Sequence, residues 1–370
     1  MSSTQSPRGA ELYIGLMSGT SLDGVDAALV DLRARPRLLG TQYLPYTEAL
    51  KATLLALHDP SRDELHRASL AGIQLAKFYA RSVDRLLRRC RVAARSVRAV
   101  GCHGQTVRHQ PAAGYTVQLG NPAWLAELTG MTVVADFRSR DIAAGGQGAP
   151  LVPAFHAAVF AEPRAHRVIV NLGGIANLTD LPRHGAVTGF DTGPANVLLD
   201  AWVRAKLGRS FDRAGALASR GRVLEPLLKA LLADAYFQRT PPKSTGRDRF
   251  NLEWLERFRV TRYKAKDVQA TLAELSARSI GKAILKFCRG AEEVYLCGGG
   301  ARNLDLVARI ARSLPGIPVA PTLRLGIHPD WVEAMAFAWL AQRRLKSETG
   351  SLSEVTGAKK PRILGAIYSA

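Results

Sequence analysis

The sequence predicts an α/β fold in two domains, and three observations carry that prediction. Strand-like apolar runs alternate with segments of helical period along the chain. Two of the apolar runs dip into glycine-rich turns and return: "YIGLMSGTSLDGVDAALVDL" from Tyr13 and "RVIVNLGGIANLTDLP" from Arg167. Each opens one half of the chain. The length, 370 residues, exceeds what one small core organises. The halves are otherwise unlike, so the pattern is a weak internal duplication without a short-period repeat.

Taken in order, Met1–Glu11 lacks the apolar centre of a secretory signal and reads as a disordered tail. Leu12–Met17 and Val25–Leu32 form a hairpin, and Arg37–Tyr46 supplies a third strand. Helical period covers about Ser61 to Arg91, with Leu75, Tyr79, Val83, Leu86 and Cys90 on one side. "VRAVGCHGQTVRHQP" reads as a short strand entering a loop, and "PAWLAELTG" as a short helix stopped by Gly130. "MTVVADF" is a strand leading to the glycine-rich stretch Ala143–Pro150. In the second half, "GAVTGFDTGPANVLLDAWV" reads as strand, turn and helix, with Gly193 as N-cap and Pro194 first in the helix. Asp267 reads as the N-cap of a helix burying Leu272, Leu275, Ile280, Ile284 and Phe287. "VYLCGGGARNLDLVARIARSL" is a buried strand, a glycine turn and a helix. "HPDWVEAMAFAWLAQRRL" is an apolar helix with one end buried, and the C-terminal stretch ends in a strand.

Hydrophobic residues make up 47% of the chain, as in a globular protein, and no apolar run is long enough to span a bilayer. Cys90, Cys102, Cys288 and Cys297 show no metal or C-x-x-C spacing, which fits a reduced, cytoplasmic setting, with Cys297 simply buried. The formal net charge is +20. The excess is scattered arginine without aromatic interleaving, and its densest stretch, Arg81–Arg98, falls on the exposed side of an amphipathic helix. That reads as a solvated basic face without specific nucleic-acid binding, on a protein that favours anionic small molecules.

No G-x-x-x-x-G-K-[ST] and no G-x-G-x-x-G after a strand occurs, which argues against P-loop and Rossmann nucleotide sites. Three other glycine turns remain. Gly19-Thr20-Ser21-Leu22-Asp23-Gly24-Val25-Asp26 offers backbone N–H groups and two hydroxyls to phosphate oxygens. Asn171-Leu172-Gly173-Gly174-Ile175-Ala176-Asn177 is the equivalent turn of the second half. Gly298-Gly299-Gly300 follows a strand and opens a helix, where an anion is favoured and missing side chains leave room for a base or ribose. Asp191, in Gly189-Phe190-Asp191-Thr192-Gly193-Pro194, is relieved of a capping role by Gly193 and stands free in a turn, able to take a proton from a hydroxyl or water.

With these residues in view, "GLMSGTSLDGVDAALV", "HGQTVRHQP", "QLGNPAWLAELTGMTVVADFRSRDIAAGGQGAPLVP", "VNLGGIANLT", "GFDTGPANVLLD", "PPKSTGRDRFN", "CGGGARN" and "EAMAFAWLA" together resemble the anhydro-N-acetylmuramic acid kinases, in order and over nearly the whole chain. The resemblance implies two related actin-like ATPase (ribonuclease H-like) domains with a nucleotide and sugar cleft between them. The expected division is residues 1–125 joined by 355–370, and 126–354. It implies ATP and Mg2+ as cofactors, 1,6-anhydro-N-acetylmuramic acid as substrate, no membrane or specific nucleic-acid partner, a homodimer, and a role in peptidoglycan recycling. Gly19–Asp26 then receives ATP phosphates and, through Asp23, a hydrated Mg2+, although the sequence assigns no metal ligands. Asn171, Gly173 and Gly174 face it as a second phosphate loop, and Gly298, Gly299 and Gly300 lie beside the adenosine. Asp191 becomes the general base for a water that opens the anhydro bridge.

The sugar contacts stay open. Thr106 reads as a bond to a ring hydroxyl or as a turn hydroxyl. Arg138, Arg140 and Asp141 follow a strand end, where one arginine pairs with the lactyl carboxylate or with a surface acid. Glu333 reads as a residue placing sugar or water, or as a helix-surface acid. His103, His109 and His156 read as structural. Lys243–Arg247 reads as a loop near the substrate, without assigned roles. Ala195 stands where the family often has Gly, and Leu22 where it often has Met; neither touches the implied chemistry. Alternatives are another sugar kinase of the same superfamily, an actin-like ATPase without sugar chemistry, or a glycoside hydrolase using Asp191 and Glu333, which leaves the three phosphate-type turns without a task.

Overall fold

The computed structural model describes residues 9–19, 21–247 and 249–370. The chain forms two compact units, Met1–Phe155 with Trp331–Ala370, and His156–Asp330. In the first, β1 (Leu12–Ser18), β2 (Gly24–Asp31) and β3 (Arg37–Pro45) make an antiparallel meander. Helices α1 (Glu48–Ala56) and α2 (Glu64–Cys90) lead to β4 (Val97–Gln110), which runs parallel to β1. Strand β5 (Tyr115–Leu119) folds back on β4; α3 (Pro122–Thr129) and β6 (Val133–Ala135) follow, then α4 (Ser139–Ala143) and α5 (Val152–Phe160). The second unit contains β7 (Arg167–Leu172), β8 (Ile175–Leu181), β9 (Thr188–Pro194), α6 (Asn196–Leu207), α7 (Glu225–Leu232), α8 (Leu252–Glu256), α9 (Ala265–Phe287), β10 (Glu293–Cys297), α10 (Leu304–Arg312) and β11 (Val319–Pro321). The chain then returns to the first unit as α11 (Val332–Leu345), α12 (Ser353–Thr356) and β12 (Ala366–Tyr368).

The duplication is plain in the sheets. The first runs β3-β2-β1-β4-β6, with β12 added at the edge; the second runs β9-β8-β7-β10-β11. In both, the first three strands alternate in direction and the fourth and fifth run parallel to the first. This is the ribonuclease H-like arrangement, present twice.

The units divide differently from the expected 125/126 and 354/355 boundaries. Strand β6 hydrogen-bonds to β4, so the chain beyond residue 125 still belongs to the first sheet. Helix α11 belongs there too. Gly15 and Gly101 are register partners on β1 and β4, and a Cβ on either would overlap a backbone oxygen of α11, from Ala334 or Phe337. The helix therefore lies on main chain, buried from Val332 to Gln342 except at Glu333.

Other expectations also change. Residues 97–110 are one continuous strand, because the unrecognised β5 gives the HGQT segment a partner. Pro194 ends β9, Ala195 is the N-cap and α6 starts at Asn196. Asp267 lies in the first turn of α9 and accepts the Arg222 N–H at 2.8 Å, leaving the N-cap to Lys264. Glu11, expected in a loose tail, is held by Gln342 and Lys346 of α11; Met1–Arg8 lie outside the described residues. The arginines of α2 do face solvent. The four cysteines are free thiols, and no helix among the described residues is long and apolar enough to cross a membrane.

Among the buried histidines, His103 lies in the first unit and His156 in the second, and His156 Nδ1 lies 2.8 Å from the Thr179 hydroxyl. Burial lowers both rings from the usual 6.5 to about 3, with the Arg138 charge a second cause at His103. The unfolded chain gains these protons as pH falls through 6.5 and the folded chain does not. Stability is therefore full above pH 6.5 and falls below it, by about 1.4 kcal/mol per pH unit for each ring. Urea unfolding at pH 7.5 and 5.5 should show this loss, and His156→Gln should reduce it. In the same assay Gly15→Ala should cost about 3 kcal/mol; an unchanged midpoint would mean that α11 lifts off without penalty.

Candidate functional site

In the first unit, the β1–β2 turn is narrower than the eight-residue motif. Gly24, Val25 and Asp26 are already in β2, with Val25 buried in the core, and Thr20 lies outside the described residues. The turn closes through Leu22 N–H to Gly19 O at 3.2 Å, with Leu22 in the left-handed region at φ 59°. Asp23 is exposed, while its carbonyl is fixed by Tyr46 N–H and the Tyr43 hydroxyl, both at 3.0 Å. Gly24 is required because a side chain there would overlap Leu44 O of β3. Strand β4 supports the turn from below: the Gln105 amide donates to Gly19 O at 3.0 Å, and His103 Nδ1 lies 3.2 Å from Ser18 O.

In the second unit, the β7–β8 turn at Gly173 and Gly174 is packed on the start of α6. Backbone N–H groups of Ala195 and Val197 donate to Gly174 O, and that of Asn196 to Gly173 O. The Asn196 side chain adds bonds to the carbonyls of Leu172 and Gly173 at 3.0 and 2.9 Å. The glycine turn after β10 meets the same segment. A Cβ on Gly298 would overlap the buried Asn171 side chain, and one on Gly300 would come within 2.7 Å of Leu172. Those two glycines are thus explained by packing alone. Gly299 is exposed and a Cβ there meets nothing within 4 Å, so packing gives no reason for it.

Asp191 is neither in a turn nor free: it sits in β9 opposite Asn177. Its N–H donates to Lys243 O at 3.1 Å, its carbonyl accepts from the Tyr236 hydroxyl at 2.7 Å, and Oδ2 accepts the Thr245 N–H at 2.9 Å. The half-buried carboxylate is therefore aimed by the 243–245 loop, whose role the sequence left unassigned. Lys243 places its amine over the Tyr236 ring at 4.8 Å. Burial lowers its pKa, and the Asp191 charge works against that shift. Burial, then Asp191, pushes the Tyr236 phenol up.

The residues singled out for sugar contact all lie in the first unit, in unlike settings. Thr106 is half-buried in β4 and accepts from the Gln118 amide at 3.2 Å. Arg140 is exposed on α4, and Glu333 is half-buried in the first turn of α11. Asp141 is fully buried: Oδ2 takes the Gly148 N–H and Oδ1 the Thr356 hydroxyl, each at 2.8 Å. Its geometry is that of a loop tie. Arg138 holds the same peptide from the other side, donating to Gly148 O at 2.7 Å.

Asn196 and Gln105 went unremarked in the sequence, and Thr245 was placed only in a loop near the substrate, without a role. Their one signal is position, since each stands next to or inside a motif that was noticed for something else. No cluster of three or more potential metal-ligating side chains occurs among the described residues.

The family model for anhydro-N-acetylmuramic acid kinase matches residues 11–370. A protein of that name from Nitrosospira multiformis is 55% identical over 364 residues, covering 98% of this chain and 100% of its own. One from Thiobacillus denitrificans is 55% identical over 366 residues, 98% of each chain. Among solved structures, the activator of the 2-hydroxyisocaproyl-CoA dehydratase from Clostridium difficile with bound ADPNP is 13% identical, with 91% of this chain and 96% of that chain covered. Its TM-score is 0.47. The sequence matches run unbroken through both duplicated units and every glycine turn described above, and on them the chain belongs to the anhydro-N-acetylmuramic acid kinase family.

Proposed function

We propose that this protein is an ATP-dependent kinase that opens 1,6-anhydro-N-acetylmuramic acid with water and phosphorylates O6, giving N-acetylmuramic acid 6-phosphate. It works in the cytoplasm, as a homodimer, in peptidoglycan recycling. The observation that carries the reading is the setting of Asp191: a half-buried carboxylate on a strand beside a glycine turn, aimed by a backbone N–H, in a chain of this family.

In this reading a water attacks C1 of the sugar and passes its proton to Asp191. The C1–O6 bond breaks as C1–O forms, O6 takes the γ-phosphoryl group, and ADP leaves. Asp191 must be ionised and oriented before the water arrives, and the Thr245 N–H provides that orientation. Backbone N–H groups of the Gly19–Asp23 turn and of Gly173–Gly174 receive phosphate oxygens. Asp23 would hold a hydrated Mg2+ carried in with ATP, which would supply charge neutralisation at the phosphates. Gly299 lies against the nucleoside, and one arginine of Arg138 and Arg140 meets the lactyl carboxylate. Thr106 and Glu333 contact the sugar.

Asp191→Asn keeps the shape but takes no proton, so turnover should fall by roughly 10² to 10⁴. Bridge opening and phosphoryl transfer should fail together while ATP binding persists. In ¹⁸O-water the wild type should place label on C1 of the product and none in the phosphate; label in the phosphate would overturn the mechanism. Gly299→Val tests the nucleotide side, because a Cβ there meets nothing within 4 Å. It should raise KM for ATP well above any change in KM for the sugar, and equal changes would reject the assignment.

A further inference from the structure

His103 and Gln105, in the HGQT segment of β4, have no task in the chemistry above, yet their contacts converge on the phosphate turn. His103 and Gln105 are almost wholly buried, at 5% and 0% exposure, and both point at the end of β1. Gln105 donates to Gly19 O at 3.0 Å. His103 faces Ser18 O with Nδ1, at 3.2 Å, and the Arg138 guanidinium with Nε2, at 3.1 Å from Nε and 2.8 Å from Nη2.

The chemistry of these partners fixes the ring. A guanidinium only donates, so Nε2 must be bare. A neutral imidazole then carries its proton on Nδ1, which donates to Ser18 O. Burial and the Arg138 charge both oppose a second proton. Two successive carbonyls of the turn, Ser18 and Gly19, are thus each held by a side-chain donor from β4. Peptide planarity directs the N–H of Gly19 away from the side on which Ser18 O is held. Arg138 is fixed in turn by Gly148 O, whose N–H is tied to Asp141. The Ser18 hydroxyl donates to Gly104 O at 2.9 Å and takes the Tyr79 hydroxyl at 2.8 Å, which locks β1 and β4 in this register.

We propose that His103 and Gln105 are positioning residues for the phosphate turn, and that Arg138 acts through His103, setting the tautomer that holds Ser18 O. The role rests on the kinase reading only for its effect on ATP, so the test has one arm independent of activity. In the full-length protein, ¹⁵N spectra of the His103 ring should show a protonated Nδ1 and a bare Nε2 from pH 5 to 8. A charged ring, or a proton on Nε2, overturns the proposal whatever the enzyme does.

The second arm uses two replacements that each keep one side of the ring's bonding. His103→Asn retains a donor at the Nδ1 position toward Ser18 O. His103→Gln retains an acceptor at the Nε2 position toward Arg138 and loses that donor. Leaving Ser18 O unpaired should raise KM for ATP roughly tenfold in His103→Gln, with kcat within about twofold, and clearly less in His103→Asn. Equal KM changes in two variants of equal melting temperature, or a loss confined to kcat, overturn the proposal. If neither variant folds, the wild-type spectrum still decides it. A protein that folds with the expected tautomer and does not use ATP refutes the kinase reading and leaves the positioning geometry standing.

Discussion

Helix α11 rests on backbone, and the first unit is organised around that contact. Hydrogen is the only substituent that fits on Gly15 and Gly101 beneath the Ala334 and Phe337 carbonyls. The close approach fixes β1 and β4 against one helix and against each other. Their ends then carry the facing pairs that shape the β1–β2 turn, Ser18 and Gly19 on one side, His103 and Gln105 on the other. The same constraint recurs in the second unit, where Gly298 and Gly300 clear Asn171 and Leu172. In each copy of the fold, a glycine turn is placed by backbone packed where a side chain would intrude. Dense interiors transmit such placement because they leave no slack.

The sequence made the strands, the two hairpin-led units and the glycine turns legible, because these depend on local patterns: apolar runs, turn residues and helical period. The positions of Gly298, Gly299 and Gly300 were also legible as a turn. What could not be read was which of these glycines packing requires, since only their contacts with Asn171 and Leu172 set Gly298 and Gly300 apart from Gly299. Asp191 was found by its company of glycines, and its freedom from a capping role was read correctly from the wrong helix start. Its actual partners, Lys243 and Thr245, lie more than fifty residues away, beyond any local signal. β4 was cut short for a similar reason: a strand with Gly104 in its middle looks like a loop until β5 is known to pair with it.

The two copies have diverged in one strand above all. Strand β10 has five residues and its counterpart β4 has fourteen. The overhang pairs with β5 and carries Thr106, while the stretch just before it carries His103 and Gln105. Lengthening one strand of a duplicated sheet thus gives the first unit a polar stretch from His103 to Gln110 that pairs with β5 along most of its length. The second unit instead spent its insertions between β9 and β10, where the loop that aims Asp191 is found.

The discontinuity of the first unit has a consequence for synthesis. Residues 156–330 form a contiguous body with its own core, so the ribosome delivers everything this unit needs in one stretch. The other unit begins at the N-terminus yet lacks the helix for its Gly15–Gly101 seat until residues 332–345 emerge. That seat must wait, uncovered, for most of the chain to be translated. Domains commonly fold in order from the N-terminus. Here that order is split: one face of the N-terminal sheet has its core within Leu12 to Ala135 and can close early, while the Gly15–Gly101 face stays uncovered until α11 emerges.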